Sequence, residues 1–332
     1  MTRRLAHALP SPRRSAQPKR AAPRPPRAAA RRAALARLAT VVGLAALVAG
    51  GCTCSKGQDV ENSRSAAKIE RVASQTILSD EVLWALGDEV RPRVVALSPL
   101  VDDPRYSTIV ERWPAAIPRL AGSSEALLAR APQLVIIASF TAPETRAFLD
   151  AHGVETLSLD AFRGFDDLWR HTRAIAAAVD AEAAGERLIA AQQAELAALE
   201  AAVADGPRPA ALSWGEGFVA GADTTFDGVA RYAGLDNLAA RRGITGHAPL
   251  TAEALVALDP QVIVIGCEPP RCAEAEAEFA ARPGIAATRA AREHGIFAVP
   301  AALLASTGAG MIDAARTLGE RRAALLAEAP RP

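Results

Sequence analysis

Short apolar runs alternate along this chain with segments whose apolar positions recur at helical spacing. The runs at 68–74, 93–97, 134–138 and 155–159 read as strands, as do 210–213, 262–265 and 296–299. The runs at 134–138 and 262–265 are continuously apolar, which suits parallel strands covered on both faces. Helical spacing falls at 79–86, 143–151, 225–233, 252–258, 273–281 and 310–327, with Ser79-Asp80 placed to cap the first helix. Such alternation predicts an α/β fold of doubly wound lobes. Residues 166–204 hold no proline and one glycine, so they read as two helices broken near Val179-Asp180, with Asp180 capping the second. At about 1.5 Å per residue that second helix is roughly 36 Å long, enough to join two lobes.

A repeated phrase divides the chain. Glu125-Ala-Leu-Leu-Ala-Arg-Ala-Pro-Gln-Leu-Val-Ile-Ile137 returns as Glu253-Ala-Leu-Val-Ala-Leu-Asp-Pro-Gln-Val-Ile-Val-Ile265, with seven of thirteen positions identical. Each copy reads as a short helix, a Pro-Gln turn and a buried strand, the proline stopping the helix. Two copies imply two similar lobes, with a ligand cleft between them.

The net charge of +1 conceals an asymmetry. Residues 1–37 carry eleven Lys/Arg and no acid, which leaves 27 basic against 37 acidic residues in the remainder. An acidic body argues against nucleic acid as a partner. The basic stretch leads into an apolar run at 38–49, short for a membrane span but the length of a signal-peptide core. That run ends in Val-Ala-Gly-Gly-Cys52, small residues before a cysteine as in the lipobox of bacterial lipoproteins. Residues 1–52 are therefore expected to be a signal peptide with lipidation at Cys52, and 53–67 a polar tether. Export places the protein in the periplasm or on the outer face of the cell membrane, held by its lipid. In that oxidising setting Cys267 and Cys272 are expected to form a small loop disulfide. Free thiols are the alternative, and a zinc site lacks further ligands nearby.

Candidate chemistry is sparse. Gly215-Glu-Gly217-Phe-Val-Ala-Gly221 mimics a dinucleotide loop, but its third glycine comes one residue late, and it is read as a cleft loop flanked by Trp214 and Phe218. No Gly-x-Ser-x-Gly nucleophile motif is present. His152 and His171 read as surface or capping residues and Trp113 as core, whereas His247 sits on a loop that can reach the cleft. No metal cluster and no cofactor are implied.

Four stretches together carry a family resemblance. They are Arg71-Val-Ala-Ser-Gln with the following helix; Ala121-Gly-Ser-Ser-Glu125-Ala-Leu with Ala131-Pro-Gln-Leu-Val-Ile; Asp223-Thr-Thr-Phe-Asp-Gly with Ala233-Gly-Leu-Asp-Asn-Leu; and the second phrase from Glu253. From about residue 68 to 326 the chain resembles the periplasmic-binding proteins of ABC importers for cobalamin, haem and ferric siderophores. The resemblance implies two α/β lobes joined by one long rigid helix: 68–165, a helical segment at 166–205, and 206–332. It also implies that Glu125 and Glu253, one on each lobe, dock into arginine pockets of a membrane permease. Many haem and cobalamin binders of the family carry a Tyr-Pro pair after the second strand. Here that place holds Asp103-Pro104, with Tyr106 two residues on.

The sequence thus predicts an extracytoplasmic, monomeric binding lipoprotein, not an enzyme, whose partners are an ABC permease and its ATPase. Its ligand is a metal chelate, with cobalamin or a ferric siderophore ahead of haem. Thr76, Asp102, Asp103, Tyr106, Trp214, Phe218, His247, Glu268 and Arg271 are the expected ligand-binding residues. A secreted α/β enzyme, or a sensor lipoprotein of the same fold, is the alternative.

Overall fold

The computed structural model describes residues 68–215 and 217–328. The proposed signal peptide, Cys52 and the tether lie outside the described residues. Two sheets organise the rest. The first holds β1 (Val72–Ser74), β2 (Val94–Ala96), β3 (Leu134–Ala138) and β4 (Glu155–Leu159), all parallel, in the order β2-β1-β3-β4. Its helices are α1 (Ile77–Ala85), α2 (Glu125–Leu128), α3 (Pro143–Ala151) and α4 (Phe165–Ala178). Next comes α5 (Glu182–Val203), whose 22 residues span about 33 Å. It packs on α4, and on α6 (Thr225–Tyr232) and α12 (Gly310–Glu328) beyond.

The second sheet has a parallel part, β10 (Ile296–Pro300), β9 (Val262–Cys267) and β5 (Ala210–Gly215), with β7 (Asp236–Asn237) also parallel to β5. An antiparallel part, β6 (Phe218–Ala220) and β8 (His247–Pro249), extends it. Around it lie α7 (Leu238–Arg241), α8 (Ala252–Leu258), α9 (Cys272–Ala280), α10 (Arg289–Arg292) and α11 (Ala301–Ala305).

Strand pleating explains the apolar runs. In β3, Leu134 and Ile136 enter the largest core cluster, which continues through α4, α6 and α12. Val135 and Ile137 pack on the opposite face with Leu127 and Leu149. In β9, Val262 and Val264 join the large core, while Ile263 and Ile265 pack with Leu255 and Phe279. Both faces of each strand are covered, so no polar position interrupts it. The repeated glutamines share a task too. Gln133 Oε1 accepts from the backbone N–H of Glu70 (2.7 Å) and Arg71 (3.0 Å), ahead of β1. Gln261 Oε1 accepts from Ala210 N at 3.1 Å, at the start of β5.

Two local expectations are corrected. Thr76, not Ser79-Asp80, caps α1: its Oγ1 accepts from Ser79 N at 3.0 Å, and Ser79 and Asp80 are buried in the first turn. Asp180 has φ 50° in the link between α4 and α5, and α5 begins without a side-chain cap. The glycine-rich loop is a hairpin turn pairing Gly215 with Phe218, with Gly217 at φ 83°, a conformation glycine tolerates.

Candidate functional site

Parallel strands leave a crevice beyond their carboxyl ends, and every strand of the first sheet delivers side chains there. Gln75 and Thr76 follow β1, Ser98, Pro99 and Leu100 follow β2, Phe140 and Thr141 follow β3, and Phe162 follows β4. All line one cavity of about 360 Å³, which Ala305 at the end of α11 and Ser306 and Thr307 in the loop after it close. Leu303 and Leu304, on α11 itself, line an adjoining hollow of about 170 Å³ with Phe218 and His247. A third space, of about 690 Å³, opens between Asp102, Asp103, Pro104 and Arg105 on one side and Glu268 and Pro269 on the other.

The cleft is apolar where it is exposed. Among the described residues the exposed large hydrophobic side chains are Leu100, Tyr106, Phe140 and Phe218, and Phe140 is 79% accessible. Leu100, Tyr106 and Phe140 line the first cavity, and Phe218 the hollow across α11. Phe140 stands edge-on to Phe162, centroids 5.8 Å apart. Behind Phe162 lies His171, which is buried rather than at the surface; its Nε2 donates to Asp160 O at 2.7 Å. Large apolar groups left open in this way mark a binding surface.

The polar residues are mostly engaged already. Asp102 receives Arg119 through Nε and a terminal nitrogen at 2.6 and 3.1 Å, which holds its carboxyl below the usual range. Asp103 receives Arg105 in the same bidentate way at 3.0 and 2.6 Å, and those hydrogen bonds lower its pKa to about 2. Arg271 pairs with Glu274 at 2.7 Å. Beneath the loop after β2, buried Asp80 accepts from Ser98 Oγ, and its backbone oxygen accepts from Trp113 Nε1 at 3.3 Å. Burial pushes the Asp80 carboxyl up to about 7, although hydrogen bonds from Ser74 and Ser98 oppose the shift.

The structure therefore brings Thr76 and Tyr106 into the first cavity, Phe218 and His247 into the hollow, and Asp102, Asp103 and Glu268 to the third space. Trp214 is separated from Phe218 by the hairpin's pleat. It pairs with Val219, packs on Phe279 at 5.5 Å, donates Nε1–H to Leu250 O at 3.1 Å, and borders a groove with Glu268 and Arg271. Sequence reasoning missed Leu100, Phe140 and Phe162. Their signal was an apolar or aromatic residue in the loop past the carboxyl end of a parallel strand. Glu125 and Glu253 are exposed in the first turns of α2 and α8, capped by Ser124 and Thr251. Cys267 and Cys272 are bonded, Cα atoms 5.0 Å apart, in the loop that carries Glu268 and Arg271. Among the described residues, no group of three His, Cys, Asp or Glu is arranged to hold a metal ion, and no helix is long and apolar enough to cross a membrane.

Two sheets with a cleft at their strand ends make an α/β architecture with room for a ligand. Residues 72–303 match the profile of the periplasmic binding protein family, and the chain belongs to that family. Among solved structures it is similar to a periplasmic haem-binding protein from Pseudomonas aeruginosa (26% identity, TM-score 0.63, covering 79% of this chain and 94% of that one). It is equally similar to the haem-binding protein RhuT from Roseiflexus sp. RS-1 (26%, TM-score 0.62, covering 76% and 99%). An Fe3+-hydroxamate transport protein from Saccharomonospora viridis shares the fold at 22% identity and TM-score 0.60, covering 77% and 93%. No curated protein matches the sequence.

Proposed function

We propose that this protein is the substrate-binding component of an ABC importer, capturing a metal tetrapyrrole, haem or a corrinoid, between its lobes. The observation that carries this reading is the exposed apolar set Leu100, Tyr106, Phe140 and Phe218 around the cleft. A flat macrocycle buries such surface on both of its faces. The 26% identical proteins that bind haem support the same class. Tyr106 and His247 are the candidate donors to the ligand's metal. A ferric siderophore is less well served, because the arginines at the acidic rim, Arg105 and Arg119, are already held by Asp103 and Asp102. Glu125 and Glu253 are the proposed contacts to the permease, and Cys52 the lipid-bearing residue. The protein binds and delivers without catalysis.

Titrating the purified protein with haemin and with cyanocobalamin tests this. At least one should give a saturable absorbance change with Kd of about 1 μM or tighter. Tyr106→Phe should alter the haemin spectrum if the phenol ligates iron. Absence of saturable binding of either macrocycle would refute the reading.

A further inference from the structure

We infer that Glu81 is a specificity-determining residue of the cleft: it accepts a hydrogen bond from an N–H donor on the ligand's inner edge and turns away a carboxylate there. This rests on the tetrapyrrole reading and adds the rim chemistry that the cavity takes.

Glu81 lies on α1 at the floor of the 360 Å³ cavity and is only 7% exposed. It is the one charged residue among the described residues lining that cavity. Its hydrogen-bond partner is a neutral group, Thr108, whose Oγ1 donates to Oε1 at 2.5 Å. Oε2 lies against Gly308 in the loop after α11, where a Cβ would collide with it. Among the described residues no lysine or arginine pairs with this carboxyl. Burial pushes it up; Thr108 and Arg112 oppose the shift, and Asp313 on α12 adds to it.

The other polar groups around the cavity are neutral: Gln75, Thr76, Ser98, Thr141, Ser306 and Thr307. In its ionised form, which alkaline pH favours against the upward pull of burial, the Glu81 carboxyl is costly to keep in an apolar chamber unless a donor meets it. A ligand amide or amine supplies that donor. A ligand carboxylate would instead crowd a second acid against Glu81, a carboxyl that no lysine or arginine among the described residues pairs with.

Two iron porphyrins that differ only at the rim isolate this effect. One is haemin. The other is the same macrocycle with both propionates converted to primary amides. At pH 8 the wild-type protein should bind the diamide at least about tenfold more tightly. Glu81→Gln keeps the side chain's size and an acceptor for Thr108, and should bring the two affinities within about threefold. Equal wild-type affinities, or a preference for haemin, would overturn the assignment without recourse to any variant. It also falls if a cooperatively melting Glu81→Gln protein retains the wild-type preference. Binding of neither porphyrin removes the tetrapyrrole reading and this inference with it, a result distinct from binding both equally.

Discussion

Ser98 donates its hydroxyl to the buried carboxyl of Asp80, tying the second residue beyond β2 to helix α1. The loop that begins at Ser98 carries Leu100, Asp103 and Tyr106 to the cleft, so this bond positions a wall of the site from below.

Burial of the same carboxyl makes stability depend on pH. Asp80 titrates near 7 in the fold, against 3.8 ordinarily, because burial disfavours its charge. Between those values the folded protein holds a proton that the unfolded chain has released. Asp80's contribution is therefore fully present below about pH 4 and is lost as pH rises through 7, by up to about 4 kcal/mol. Melting curves from pH 4 to 8 should show a decline that is flatter in Asp80→Asn. Equal slopes in the two proteins would show that Asp80 is not the titrating group.

Phe140 offers a cleaner probe of the cleft, since so little of it is buried. Phe140→Ala should weaken binding of the macrocycle by about 1–3 kcal/mol, as for an aromatic anchor, and leave the melting temperature nearly unchanged. Calorimetry on wild type and variant separates the two effects. Unchanged affinity would place the ligand elsewhere.

The two exposed glutamates should matter for delivery alone. Glu125→Ala combined with Glu253→Ala is expected to preserve folding and ligand affinity while abolishing uptake in cells that depend on this importer. Normal uptake would reduce both to ordinary helix-start residues.

Oxidation of Cys267 and Cys272 can be read chemically. Thiol labelling of the denatured, unreduced protein, expressed for export, should leave both unmodified, and labelling after reduction should reach both. Modification without reduction would show free thiols.

Much of the architecture was legible because it is local. β3, α3 and α8 fall at their expected boundaries, since a continuous apolar run, a proline at a helix start, or a Thr cap fixes each within a few residues. The antiparallel strands β6 and β8 were not legible. They are three residues long: Phe218-Val219-Ala220 is too short an apolar run between glycines to stand out, and β8 begins with the exposed, polar His247. Site residues followed the same division. Tyr106 and Thr76 stood out by type and by position after a strand. Phe140 and Glu81 read as ordinary loop and helix residues, because their roles depend on what the loop after α11 places opposite them. Asp102 and Asp103 looked free in the sequence, yet Arg119 is seventeen positions from its partner and Arg105 two, distances that only the folded loop resolves.

The most direct test of ligand capture is mass spectrometry, with absorbance spectra, of whatever co-purifies with the protein from its native host. A haem or corrinoid mass with the matching macrocycle absorbance is the predicted result. A linear ferric siderophore, or a small metabolite without a macrocycle, would contradict the proposed function.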